Sequence, residues 1–239
     1  MLKQALGICL LLASPLLQAF ELSPYTASYR FNLDNKLSGS ATRTLEKRGD
    51  SLWRYSFSAS ASIATASETS DFRFDGKQVT PLGYQQQRNI LFKKKKASIQ
   101  FDWKGLKGNG TRDDKPPASY ALAPGVLDSL NMEIQLRRDL VDLGKLGGPY
   151  ALATPKDLSP LEFVINGKEV LVTPMGKLNT LRVSRKHSDP SRHTTFWLAI
   201  DHRYLPAKVV QNDGGTVYSL EITGIKYAPV AAPAPAPAK

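Results

Sequence analysis

Cysteine is almost missing from this 239-residue chain, and the only one, Cys9, sits inside an apolar leader. Without that leader no thiol remains, which excludes a disulfide framework, a thiolate metal site and a cysteine nucleophile. Histidine is nearly as scarce, with His187, His193 and His202 the only three. No HExxH spacing joins them and no G-x-S-x-G elbow raises a serine, so neither a zinc hydrolase nor a serine hydrolase of those types is legible. His187 and His193 flank a turn at Asp189-Pro190, and His202 follows Asp201 in another, where polar residues serve the turn itself. Carboxylates offer no better pair. Glu133 and Asp139 stand six residues apart on a helix and point away from each other, and Glu68 and Asp71 are no better placed. No catalytic, metal or cofactor residue is assigned, and a hydrolase is the third reading of this chain.

Acidic residues are also in deficit, 21 against 32 Lys and Arg. Such an excess attracts anionic material, phospholipid headgroups, lipopolysaccharide or teichoic-type polymers among them. No apolar run reaches the roughly 20 residues of a membrane-spanning helix. The longest, Ala5 to Leu17 behind Lys3, has the layout of a secretory signal peptide, with Leu17-Gln18-Ala19 placing the cut before Phe20. Ile8 before Cys9 does not suit a lipoprotein signal. The expectation is a periplasmic protein that does not meet nucleic acid and has no transmembrane segment.

What the sequence has in quantity is alternation. From Trp53 to Ile63 every odd position is apolar and every even one is arginine or serine, the period of a half-buried strand. Ser56, Ser58, Ser60 and Ser62 are its polar face. The pattern recurs over Tyr25 to Leu33, Leu37 to Lys47, Thr69 to Phe74, Lys77 to Gln87 and Ala97 to Trp103. In the C-terminal third, Leu161 to Ile165 and Glu169 to Thr173 flank Asn166-Gly167-Lys168, a strong hairpin signal. Leu178 to Lys186, His193 to Ile200, Leu205 to Gln211 and Thr216 to Ile222 complete the set.

Two stretches lack this regularity. Lys104 to Pro124, rich in glycine and proline, predicts a long loop and a candidate lid, and Leu143 to Pro160 reads as irregular. Between them Leu127, Leu130, Ile134 and Val141 recur at helical spacing, with Asp128 as the cap and Gly144 as the stop. Three segments result: a signal peptide at 1–19, a single β-rich domain at 20–228, and a disordered Ala/Pro tail at 229–239. A chain of this size buries about 70% of its unfolded surface and needs no staples. The expected fold is mainly β, a strongly curved antiparallel sheet or partly open β-barrel with one mid-chain helix packed on it.

Thr195-Phe196-Trp197-Leu198-Ala199-Ile200-Asp201-His202-Arg203-Tyr204-Leu205-Pro206, followed by Gly215-Thr216-Val217, resembles the C-terminal signature of an exported bacterial family of uncharacterised proteins catalogued as domain of unknown function 3108. Val126-Leu127-Asp128-Ser129-Leu130 and Gln135-Leu136-Arg137 are similar to that family's mid-chain helix. The resemblance implies a periplasmic β-rich fold and brings no catalytic residue. In architecture alone the expected fold also resembles periplasmic lipoprotein carriers, whose curved sheet holds acyl chains; that likeness speaks to fold and not to ligand.

Two candidate sites follow. Lys93, Lys94, Lys95 and Lys96, extended by Lys104 and Lys107, form a candidate anionic-surface site. Four consecutive lysines put charge on both faces of a strand, two of them on the core side. Trp53, Tyr55, Phe57, Phe101 and Trp103 fall on inward positions, where a curved sheet leaves room for a candidate apolar pocket. The first reading is a non-catalytic envelope protein binding an amphipathic or anionic ligand, a lipid, glycolipid or lipoprotein segment, under the sheet. The second is an interaction module docking an envelope protein or wall polymer through its basic surface.

Overall fold

The computed structural model describes residues 20–91, 93–113 and 115–228; the expected signal peptide and Ala/Pro tail lie outside the described residues. Fifteen strands form one sheet: β1 (Tyr25–Leu33), β2 (Leu37–Lys47), β3 (Leu52–Ala61), β4 (Ala64–Phe74), β5 (Val79–Ile90), β6 (Lys93–Asp102), β7 (Lys107–Arg112), β8 (Lys115–Ala121), β9 (Val126–Leu127), β10 (Tyr150–Ala153), β11 (Leu158–Thr173), β12 (Gly176–Lys186), β13 (Arg192–Ala199), β14 (Leu205–Asp213) and β15 (Thr216–Tyr227). Their order is β8-β7-β6-β5-β4-β3-β2-β1-β15-β14-β13-β12-β11-β10-β9. Two antiparallel meanders are thus joined where β1 meets β15, and only β9 and β10 pair in parallel. Strands of ten or more residues carry enough right-handed twist to curl such a sheet on itself. Among the described residues its two edges do not pair, but Tyr120 of β8 donates its hydroxyl to the Thr154 carbonyl beyond β10, 2.9 Å away. The result is the expected curved, partly open barrel.

The alternation read from the sequence fixes which face turns inward. Tyr55 opposes Leu45 on one side and Ser70 on the other, and Ser70 opposes Tyr84, which opposes Ile99. All five are buried, and Phe72, Val79, Phe101, Phe196 and Ile222 join them in one core. Ser56, Ser58 and Ser60 take the opposite, outer face.

One end of the barrel is closed by α1 (Asn131–Leu143), which ends at Gly144 in the left-handed region, as expected. The helix begins three residues after Asp128, whose Oδ1 nonetheless accepts from the Leu130 and Asn131 amides, 2.9 Å each, and so performs the capping role. Val126 and Leu127, read as helical, are instead the short strand β9. The helix is buried around nearly its whole circumference, polar residues included. Each of those therefore needs a partner, and the partners are the strands. Gln135 accepts from the Val79 amide on β5 at 2.9 Å, Asp139 accepts from Tyr150 on β10, and Glu133 pairs with Arg43 on β2 and accepts from Tyr55 on β3.

Three expectations are corrected. Lys104 to Pro124 is no loop: it folds as the hairpin β7–β8. Gly110 permits this because a side chain there would overlap the Pro155 carbonyl across the open seam, so glycine lets the backbones approach. Pro116 and Pro117 fall in a bulge of the edge strand β8, between Lys115 opposite Arg112 and Ala118 opposite Gly110, where neither has a register partner on β7. Nor do Asn166 and Gly167 turn a hairpin. They sit in a bulge within the 16-residue strand β11, and β12 runs beside both halves. The reversal comes later, between Thr173 and Gly176, where Thr173 Oγ1 donates to the Gly176 carbonyl at 2.9 Å. The stretch from Leu143 to Pro160, read as irregular, likewise contains β10 and the start of β11.

Candidate functional site

The aromatic candidates lie at the helix end. Trp53, Tyr55 and Phe101 are fully part of the core, and Phe57 and Trp103 are half-buried beside it. Trp103 donates its indole N–H to the Pro81 carbonyl at 2.5 Å, and the Phe57 ring lies 5.4 Å from the Arg43 guanidinium. Helix residues Ile134, Leu136 and Leu140 belong to the same core.

A polar chain runs through this core. Arg43 Nη1 donates to Glu133 and, at 3.3 Å, to the Tyr55 hydroxyl; Tyr25 donates to Tyr55 at 3.3 Å; Arg137 Nη1 donates to the Tyr25 hydroxyl at 3.1 Å. Burial lowers the Arg43 pKa, but Glu133 foremost, then Tyr55 and Tyr29, outweigh it and hold the guanidinium above its usual value. Burial, then the Glu133 charge, raises the Tyr55 phenol, so it stays protonated and donates. Arg137 has ring faces in place of a carboxylate, Phe20 at 5.8 Å and Tyr25 at 5.4 Å. The members are tied to one another or to backbone and so clamp helix to sheet, while Arg43 Nε is buried without a hydrogen-bond partner among the described residues.

His187 and His193 flank the same β12–β13 turn, and His202 lies apart from them. His187 shares a 3.0 Å hydrogen bond with Thr194 at the β12–β13 end, and burial with Arg185 and Arg192 nearby lowers its pKa. His202 stacks on Tyr227 with ring centroids 6.5 Å apart. Among the described residues no three His, Asp or Glu side chains are placed to hold a metal.

The lysines lie at the other end of the barrel. All four of Lys93 to Lys96 are exposed on β6. They pair with Ile90, Asn89, Arg88 and Gln87 of β5, whereas the ladder to β7 begins at Ala97 and only Lys96 is reached beyond it, donating its amide to Asp113 Oδ2 at 2.6 Å and accepting from the Asp113 amide at 3.1 Å. This part of the β5–β6 hairpin therefore projects past its neighbour. Lys93 and Lys95 do share the face of the core residues Ile99 and Phe101, but they stand where the barrel opens and remain in solvent.

Lys104 and Lys107 do not join them. They lie at the far end of β6, where Lys107 opposes Asp102, nine residues along the strand from Lys93 and about 30 Å away at strand rise. In their place the fold brings Arg88, opposite Lys95, Arg112, opposite Ala97, and Lys115, opposite Arg112. The sequence alone did not single these out, because Arg112 and Lys115 fall in the stretch read as a loop. The charge bias was nonetheless visible: residues 77–115 hold ten basic and three acidic residues, +7 of the chain's +11.

Two open hollows mark the outer surface. One, about 290 Å³, crosses β2 to β5 over Thr42, Ser58, Ser60 and Ser67; the other, about 340 Å³, lies between the β1–β2 and β14–β15 turns. Neither is lined by the aromatic candidates. Among the described residues no helix is long and apolar enough to cross a membrane.

The crystal structure of a β-barrel-like protein of domain of unknown function DUF1849 from Brucella abortus is similar over 88% of this chain and 100% of that one, with a TM-score of 0.59 and 11% identity. At that identity the likeness speaks for the fold alone. No curated protein matches the chain. The family model for proteins of unknown function DUF3108 matches residues 24–221, from the first strand to the last, and the chain belongs to that family.

Proposed function

We propose that this is a non-catalytic periplasmic envelope protein that binds an anionic or amphipathic envelope component, lipid or lipopolysaccharide, at the basic end of its barrel. The observation that carries this reading is the convergence of Arg88, Lys93 to Lys96, Arg112 and Lys115 from four strands onto one end. A lysine near an anionic lipid surface contributes about 1 kcal/mol, so such a cluster suffices for measurable attachment. The aromatic cluster is a weaker host for a ligand, since Trp53, Tyr55 and Phe101 are already buried in the core that includes Ile134, Leu136 and Leu140 of α1. Export is supported at Phe20, whose ring is buried in the core and whose backbone nitrogen lies 2.6 Å from Asp142 Oδ1. Cleavage before Phe20 would turn that nitrogen into an ammonium facing a carboxylate, a stronger bond than the amide makes.

Replacing Lys93 to Lys96 together with glutamine tests the binding reading. Affinity for phosphatidylglycerol vesicles should fall at least about tenfold at low salt. The parent's binding should weaken toward physiological ionic strength, where the Debye length is about 8 Å. The melting temperature should barely change, because these side chains are exposed. Unchanged binding at low salt would reduce the run to a guard against edge pairing and remove the reading's main support.

A further inference from the structure

The basic end also carries apolar side chains that the core does not use. Ile63, at the β3–β4 tip, is 52% exposed; Ile90 and Leu91, at the β5–β6 tip, are 56% and 65% exposed. The two tips are one unit: Ala64 opposes Ile90 in the ladder, and the Leu91 amide donates to the Ile63 carbonyl at 2.8 Å. Leu91 has φ of 54°. A turn selected only for folding places Gly, Asn or Asp in that left-handed conformation, so an exposed leucine there is strained and unrewarded by packing.

We infer, building on the reading above, that this paired tip enters the interfacial zone of an anionic lipid bilayer. Ile63, Ile90 and Leu91 reach the boundary of the acyl chains, and the lysines behind them meet the headgroup phosphates. The spacing suits this. Lys93 is paired with Ile90 and Lys96 lies three residues on, so the ammonium groups begin within about 10 Å of the tip. Apolar side chains at an interface sit about 5–10 Å into the headgroup and acyl boundary. Charge complementarity selects the occupant, for a purely apolar partner would gain nothing from Arg88 and Lys93 to Lys96. The projection of this hairpin past β7 clears the approach.

The mature chain has no cysteine, so single cysteines can carry a polarity-sensitive fluorophore. With the chain from Phe20 onward and vesicles of phosphatidylglycerol mixed with phosphatidylcholine, a probe at Leu91→Cys should shift to the blue and resist aqueous quenching. A probe at Lys104→Cys, at the opposite end of β6, should do neither. The Ile63→Ser/Leu91→Ser variant should keep its melting temperature and bind about tenfold more weakly or worse, with the remaining binding more sensitive to salt. If the protein binds these vesicles while the Leu91→Cys probe stays open to quencher, insertion is wrong and surface attraction alone survives. If it binds no anionic vesicle at any salt, both readings fall.

Discussion

Asp128 is wholly buried and accepts hydrogen bonds from Ser70 Oγ at 2.6 Å, Asn131 Nδ2 at 2.9 Å and two backbone amides. Burial pushes its carboxyl up to about 7, and the bonds from Ser70, Asn131 and Leu130 pull it down without cancelling that rise. In the unfolded chain the group titrates near 3.9. Between these values the folded protein keeps a proton that the unfolded chain has released, so the folded state is favoured at low pH. Stability should therefore fall as pH rises from about 4 to about 7, by at most about 1.4 kcal/mol per unit from this group, and level off above. Asp139, also raised by burial, acts with the same sign. Asp128→Asn should flatten, though not abolish, the trend in urea midpoints between pH 4.5 and 7.5. An unaltered slope would assign the effect elsewhere. The variant should also lose about 1–3 kcal/mol, since an amide cannot accept all four bonds.

At the scale of the element, β11 shows how far a local signal reaches. Asn166-Gly167 carries the composition of a tight hairpin, and in a short peptide it would have formed one. Here β12 offers a continuous partner to both sides of it, from Glu162 opposite Lys186 to Thr173 opposite Gly176. Accepting one extra residue as a bulge keeps more ladder bonds than reversing the chain. Gly167 makes the bulge possible through a φ of 122°, in open space with nothing near its α-carbon face. Gly167→Ala should thus cost about 1–2 kcal/mol through backbone strain alone, read as a lower urea midpoint with an unchanged slope. A neutral result would mean that the bulge relaxes freely. The β7–β8 hairpin teaches the same lesson: Gly110 and the proline pair read as breakers, yet Gly110 is a point of close approach and the prolines sit on an edge.

For the whole molecule, the two ends of the barrel differ in kind. The helix end is closed by α1 and its polar clamp, while the opposite end presents charge and bare apolar tips. Phe20 belongs to the closed end, with its ring 5.9 Å from that of Phe74 between centroids and its backbone nitrogen on Asp142 Oδ1. Protein recovered from a periplasmic fraction should accordingly begin at Phe20 by intact mass. Acetylating that terminus should cost about 1 kcal/mol, as expected for a partly buried charge-assisted bond reduced to a neutral one. A retained Met1, or a cut several residues further on, would contradict this arrangement.

The sequence by itself determined the β class, the inward faces and the helix with its stop at Gly144. Those features depend on periods of 2 and 3.6 and on local backbone preference, which each segment carries alone. Tertiary structure decided the rest. Arg43 is buried because Glu133, 90 residues away, neutralises it, and no local pattern encodes such a partner. Lys104 and Lys107 parted from Lys93 to Lys96, and Arg88, Arg112 and Lys115 replaced them, because a strand separates chain neighbours by about 3.3 Å per residue while pairing joins distant ones. A surface site is a property of that pairing, and the register of a sheet is set by all of its strands together.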